Sequence, residues 1–188
     1  AHLQGQPLNM SQLAGSLAVT SPTVAHYVDV LSDMGLVRRL PPWFANVGKR
    51  LVKSPKAYVR DSGLLHALLA VTSLQDVLGH PVAGPSFEGM VIENVINAIG
   101  DRYEAYFYRT ANGAEIDLLL VRGGVPSIAI EVKRSTAPVV ERGFHTACDD
   151  LHINTRWVIY PGEHAYPRPH GIEVLPLVEA LTRLTAGL

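Results

Sequence analysis

Two short runs hold the residues best suited to chemistry: "AEIDLLL" at 114–120 and "SIAIEVKRS" at 127–135. Each alternates like a β-strand, yet they place Asp117, Glu131 and Lys133 where a sheet ordinarily takes apolar or neutral residues. The intervening "RGGVP" (122–126) reads as a turn, and a hairpin centred on Gly124 sets Asp117 directly opposite Glu131. Alternation then puts Glu115, Asp117 and Leu119 on one face of the first strand, and Glu131 with Lys133 on one face of the second. Ile116, Leu118, Leu120, Ile128, Ile130 and Val132 form the opposite, apolar face, so a slip of one residue would bury the charges. Two carboxylates with Cβ atoms about 5 Å apart repel unless a cation lies between them. Lys133 supplies one positive charge. A divalent ion, Mg2+ or Mn2+, held by Asp117 and Glu131 is the other solution, because such ions take carboxylate oxygens and keep several waters. That ion could lower the pKa of a bound water and bridge a scissile phosphate, with Lys133 orienting the water and stabilising the developing charge. The plainer alternative is a solvated polar face with one Glu–Lys or Asp–Lys pair.

The helix preceding these strands supplies a third acid. At about 100° per residue, Val91, Ile92, Val95 and Ile99 fall within about 60° of Glu88, while Glu93, Asn94 and Asn97 point away. Glu88 therefore sits in the apolar stripe of a helix over 86–99, facing the sheet, whereas Glu93 reads as an ordinary surface acid. An unpartnered carboxylate there would cost several kcal/mol. Compensation would come from the shared metal, from an arginine such as Arg109, or from the helix's own first turn.

The elements that must position these residues divide into two groups. "NMSQLAGSL" (9–17) reads as a helix capped by Asn9 or Ser11. "SPTVAHYVDVLSDMG" (21–35) is a second helix with Ser21 as cap, Pro22 as its first residue and Gly35 as its stop. Strand-like "LVRRL" and "RLVKSPKAYVR" around a "NVGK" turn complete the order of a winged helix-turn-helix. Arg38 to Arg60 holds seven basic residues and no acid, so Arg38, Arg39, Lys49, Arg50, Lys53 and Lys56 are candidate phosphate contacts on the wing. The second helix itself has no Lys or Arg and carries Asp29 and Asp33, which suits a protein partner as well as DNA. Two helices follow, at 61–72 and 73–79, and then "HPVAGP" (80–85) as a linker. Beyond it the order α-β-β-β-α-β-(β)-α implies a mixed sheet with helices on its faces. We expect an α/β (α+β) protein with domains at 1–79 and 80–188.

"GPSFEGMVIENVI", "AEIDLLL" and "IEVKRS" together resemble the PD-(D/E)xK nuclease signature of the restriction-endonuclease-like fold, in particular its Holliday-junction-resolvase branch. The resemblance assigns Glu88 to the helix acid, Asp117 to the strand acid, and Glu131 and Lys133 to the E-x-K pair. Nearly the whole chain, including "KRLVKSPKAYVRDSGL", is similar to the C-terminal domain of unknown function of prokaryotic AAA-type ATP-binding proteins. That implies a winged helix joined to a nuclease-like domain, with an ATPase module in cis preceding residue 1. This chain has no G-x-x-x-x-G-K-[ST] of its own, so no ATP hydrolysis is expected of it.

Composition narrows the setting. Net charge is −1, so the whole-chain field neither demands nor excludes nucleic acid. One cysteine, Cys148, allows no internal disulfide and fits a reducing cytoplasm. No run reaches the roughly 20 apolar residues of a membrane helix. The opening "AHLQGQPLNM" suits a domain cut from a longer protein, although removal of an initiator Met would look the same. Two functions are expected: a Mg2+-dependent deoxyribonuclease-like module acting on DNA, or a non-catalytic DNA-binding or protein-interaction module on an inactive nuclease fold. A homo-oligomer is compatible with either.

Overall fold

The computed structural model describes residues 1–44, 48 and 50–186, and the chain divides into two compact units with mixed α+β content. One comprises Ala1–Leu40 and Ser54–Met90, the other Pro41–Lys53 and Val91–Leu188. The chain thus passes between units at three places, where the sequence suggested one boundary near residue 80.

In the first unit, a strand β1 (Gln6–Pro7) leads into helix α1 (Met10–Leu17), which Asn9 caps by accepting the Gln12 N–H at 3.0 Å. Helix α2 (Ser21–Asp33) is capped by Thr20 rather than Ser21: the Thr20 hydroxyl accepts the Thr23 N–H at 3.3 Å, and Ser21 is already helical. Gly35 follows in the left-handed region, at φ 72°, as a helix stop requires. Strand β2 (Val37–Leu40) pairs antiparallel with β3 (Lys56–Val59), and β1 takes the other side of β3. Helices α3 (Ser62–Leu68) and α4 (Leu74–Gly79), capped by Asp61 and Ser73, precede the long helix α5 (Ala83–Ile99). Helix, helix, strand and strand thus follow one another over residues 10–59. The wing is different, because Pro41–Lys53 belongs to the second unit. Residues 45–47 and 49, and with them Lys49 and most of the "NVGK" turn, lie outside the described residues.

The second unit is built on a mixed sheet. Its strands are β4 (Glu104–Arg109), β5 (Glu115–Arg122), β6 (Val125–Val132), β7 (Thr155–Tyr160), β8 (Tyr166–Arg168) and β9 (Ile172–Pro176). The order is β4-β5-β6-β7-β9-β8, with β6, β7 and β9 mutually parallel and the other pairs antiparallel. A parallel pair needs a crossover, and helix α6 (Arg142–Asp150) supplies it between β6 and β7. Phe144, Ala147 and Cys148 recur at i, i+3 and i+4 on α6 and join Leu119, Val121, Ala129, Val158 and Val174 of the sheet in one buried cluster. Helix α7 (Leu177–Ala186) lies against β7 and β9.

Pro41–Trp43 and Leu51–Val52 run beside β4. Phe107 gives its N–H to the Pro41 carbonyl at 3.0 Å and takes the Trp43 N–H at 2.7 Å, while the Arg109 carbonyl takes the Val52 N–H at 3.0 Å. The Trp43 ring meets Tyr106 edge to face at 5.0 Å. No helix among the described residues is long and apolar enough to cross a membrane.

One close approach positions α6. A Cβ at Gly143 would stand 2.4 Å from the Gly113 carbonyl oxygen, and neither backbone can yield without moving α6 or the β4–β5 turn. Gly143→Ala is therefore expected to cost about 1–3 kcal/mol, as overpacking does. A thermal melt should show it as a drop of roughly 2–4 °C per kcal/mol.

Candidate functional site

The hairpin register agrees with a turn centred on Gly124: Leu118 faces Ile130, Leu119 faces Ala129 and Leu120 faces Ile128. It shifts by one at Val121↔Pro126, where proline has no N–H to give the ladder. A second irregularity lies on the opposite edge of β5. Tyr106 pairs with Leu119 but Tyr108 with Ile116, so β5 spends three steps where β4 spends two. The extra residue falls at Asp117 or Leu118. Such a bulge bends the strand and re-aims a side chain. Asp117 Oδ2 accordingly accepts the Val132 N–H of β6 at 2.9 Å, taking the place of a backbone acceptor where the β5–β6 ladder ends.

Glu131 lies two residues after Ala129, and therefore on the α6 side of the sheet. It is 7% exposed, and its Oε1 accepts from Lys133 Nζ at 2.8 Å. Lys133 comes just past the end of β6 and gives its own N–H to the Ile159 carbonyl, which fixes its backbone on the parallel neighbour β7. Its ammonium also lies 3.8 Å from Glu141, the residue before α6. Partial burial alone would lower the Lys133 pKa. The hydrogen bond and charge of Glu131, together with the charges of Glu141 and Asp117, outweigh burial and leave it raised. Lys133 is thus held beside Glu131 and Glu141 and within the field of Asp117, and Glu141 is a member that the sequence did not flag. It could have been found only by knowing where α6 begins.

Asp117 and Glu131 offer hard oxygen donors on neighbouring strands, a set that suits a Mg2+ or Mn2+ ion keeping most of its waters. Among the described residues no group of three or more His, Cys, Asp and Glu side chains is arranged to hold a metal.

Glu88, expected to complete such a set, has other partners. Its Oε1 accepts from Tyr58 Oη at 2.5 Å and from Lys56 Nζ at 3.3 Å, both on β3 of its own unit. Arg109, named as an alternative counter-charge, instead pairs with Glu115 at 3.4 Å. Glu93 is a correction too: it is 7% exposed, not a surface acid, because α5 is buried on more than one side.

The six candidate phosphate contacts separate. Lys56 is 3% exposed and pairs with Glu88, since alternation along β3 puts it on the same side as buried Tyr58. Arg39 is exposed and pairs with Asp29 of α2 at 2.6 Å, and Arg38 is half-buried. Arg50 and Lys53 are exposed in the second unit, where they line an open cavity of 720 Å³ with Phe44, Leu51, Val52 and Ala111. Lys49 is outside the described residues.

Comparison with known proteins bears on both halves of the chain. Residues 83–180 match the family described as domain of unknown function DUF4143, and residues 1–75 match domain of unknown function DUF8612. The chain is 38% identical over 182 residues to the uncharacterized proteins Mb2031c of Mycobacterium bovis and Rv2008c of Mycobacterium tuberculosis. The match covers 97% of this chain and 41% of each relative, so the chain spans about two-fifths of their length. No solved structure gives a significant match.

Proposed function

As the chain belongs to the DUF4143 family, we propose that it is the C-terminal region of an AAA-type ATP-binding protein and acts on DNA as a Mg2+-dependent phosphodiester-cleaving module. The observation that carries this reading is the acid–lysine cluster: Lys133 Nζ lies 2.8 Å from Glu131, within the field of Asp117, just past the carboxyl end of a parallel strand. Crevices at such strand ends are where sheets of this kind hold their ligands. Asp117 and Glu131 are the residues to hold the metal, which when bound supplies Lewis-acid charge at a phosphoryl oxygen and a more acidic water.

The chain's own groups do the rest. The Val132 N–H holds one Asp117 oxygen, which orients the carboxylate. Glu131 fixes the Lys133 ammonium, and that ammonium has donors to offer a water or a developing negative charge. Arg50 and Lys53 supply positive charge for the DNA backbone, and Phe44, 61% exposed, supplies a ring on which a base can stack.

The test is incubation of the purified chain with Mg2+ or Mn2+ and branched, single-stranded and duplex DNA, beside Asp117→Asn. Cleavage by wild type that Asp117→Asn lacks supports the proposal. No cleavage of any substrate, or equal cleavage by both, overturns it.

A second reading has its own observation. Helix α2 exposes Tyr27, Val30 and Leu31, its C-cap Met34 is exposed beside them, and its Asp29 is taken by Arg39. An apolar face of this kind suits a protein partner better than a phosphate backbone, which favours a non-catalytic interaction module if the cleavage test fails.

A further inference from the structure

We infer that the cavity between the β4–β5 turn and α6 is a phosphate-binding subsite, which takes a phosphodiester of the nucleic-acid strand that runs to the Lys133 cluster; the inference rests on the nuclease-like reading above. The cavity measures 320 Å³, within the range of roughly 300–1,000 Å³ usual for small-ligand sites. Thr110, Asn112, Gly113 and Ala114 line it from the turn, and Arg142, Gly143 and Thr146 from the helix.

Arg142 and Thr146, four residues apart, share one side of α6, and Gly143 continues that arc toward the turn. The bare contact of Gly143 on the Gly113 carbonyl keeps the cavity floor free of side chains. Arg142 is the one ionisable group in the lining. It is exposed, and it makes no ion pair or side-chain hydrogen bond among the described residues. The acids nearest along the chain are otherwise engaged: Glu115 with Arg109, Glu141 with Lys133, Asp149 with Arg156. The Thr110 hydroxyl accepts the Ala114 N–H at 3.1 Å, which leaves its own proton to donate. The Asn112 amide and the Thr146 hydroxyl add further donors. An arginine fork with neutral donors around it is the chemistry that recognises a phosphate.

Position decides which phosphate. Arg142 follows Glu141, whose carboxylate lies 3.8 Å from Lys133 Nζ. On the other side, Ala111 lines the cavity of Arg50 and Lys53 and gives its N–H to the Arg50 carbonyl. The β4–β5 turn thus separates two cation-lined cavities, and a strand passing from one to the other leads to the acid–lysine cluster.

The test measures binding of a fluorescein-labelled single-stranded DNA oligonucleotide to the full chain by anisotropy, with EDTA present, so that no cleavage contributes. Arg142→Gln is expected to weaken binding several-fold and to reduce the slope of log K against log salt by about 0.7, the value of one lost phosphate contact on a single strand. Thr146→Val should weaken binding less. Melting curves of both cavity variants verify the fold, which a side chain without partners should leave intact. Inorganic phosphate as competitor separates the two sources of the ligand. If free phosphate binds but Arg142→Gln leaves oligonucleotide affinity and salt slope at wild-type values, the strand subsite is overturned, as it is if wild type binds no oligonucleotide. Because no metal is present, binding that depends on Arg142 stands even where Asp117→Asn shows that the cleavage reading has failed.

Discussion

Lys133→Met is expected to lower Mg2+-dependent cleavage by about 10²–10³-fold, the usual effect of removing one pre-placed donor to developing negative charge. Methionine keeps the length and apolar stem of lysine, so the loss is one of charge and donors. Glu131 would lose the ammonium at 2.8 Å that holds it. The pH profile separates this role from mere support. Lys133 has a raised pKa in the folded chain, so its charge-dependent stabilisation is fully present below the unfolded lysine value of about 10.4 and fades only as pH rises through the folded value. Wild-type cleavage should therefore show no lysine-dependent fall at neutral to mildly alkaline pH. Lys133→Arg, still cationic, should recover part of the rate. Single-turnover rates across pH would decide it, and a Lys133→Met rate equal to wild type would remove the lysine from the mechanism.

The largest effect on stability is expected at Glu88. Glu88→Leu leaves Lys56, whose side chain is 4% exposed, without its carboxylate, and takes the acceptor from Tyr58. Breaking a buried pair in this way costs about 3–5 kcal/mol, or roughly 10 °C in melting temperature. Lys56→Met should cost less, since Glu88 is 19% exposed and keeps the Tyr58 hydroxyl. Adding Lys56→Met to Glu88→Leu should restore part of the loss, because a buried ammonium that has lost its Glu88 carboxylate is then gone. Thermal or urea melts of the three variants measure the ordering. A Glu88→Leu protein as stable as Lys56→Met would show that the buried ammonium is not what Glu88 serves.

These two sites also show what the sequence could reveal. The hairpin was legible because its information is local: alternation and a Gly-Gly turn fix which residues face each other, and the structure keeps that register from Leu118 to Leu120. The bulge in β5 was not, since it depends on how β4 lies beside it. Glu88 was correctly placed inside a buried stripe, but its partners come from a strand about thirty residues earlier. One signal was available: "KAYV" alternates, so a buried Tyr58 implies a buried Lys56. The wing was misplaced for a similar reason. Its basic residues read as a free hairpin because nothing in "LPPWF" announces that Trp43 and Pro41 bond to Phe107.

That last feature also governs how the large sheet meets other chains. A sheet ends in two rows of unsatisfied backbone groups, and an exposed row templates strand addition and aggregation. Here Pro41, Trp43 and Val52 occupy the Phe107 and Arg109 positions of one margin. The other margin is β8, only three residues long and built around Pro167, which has no N–H to offer. Among the described residues, both margins of this sheet are thus blunted against the addition of another strand.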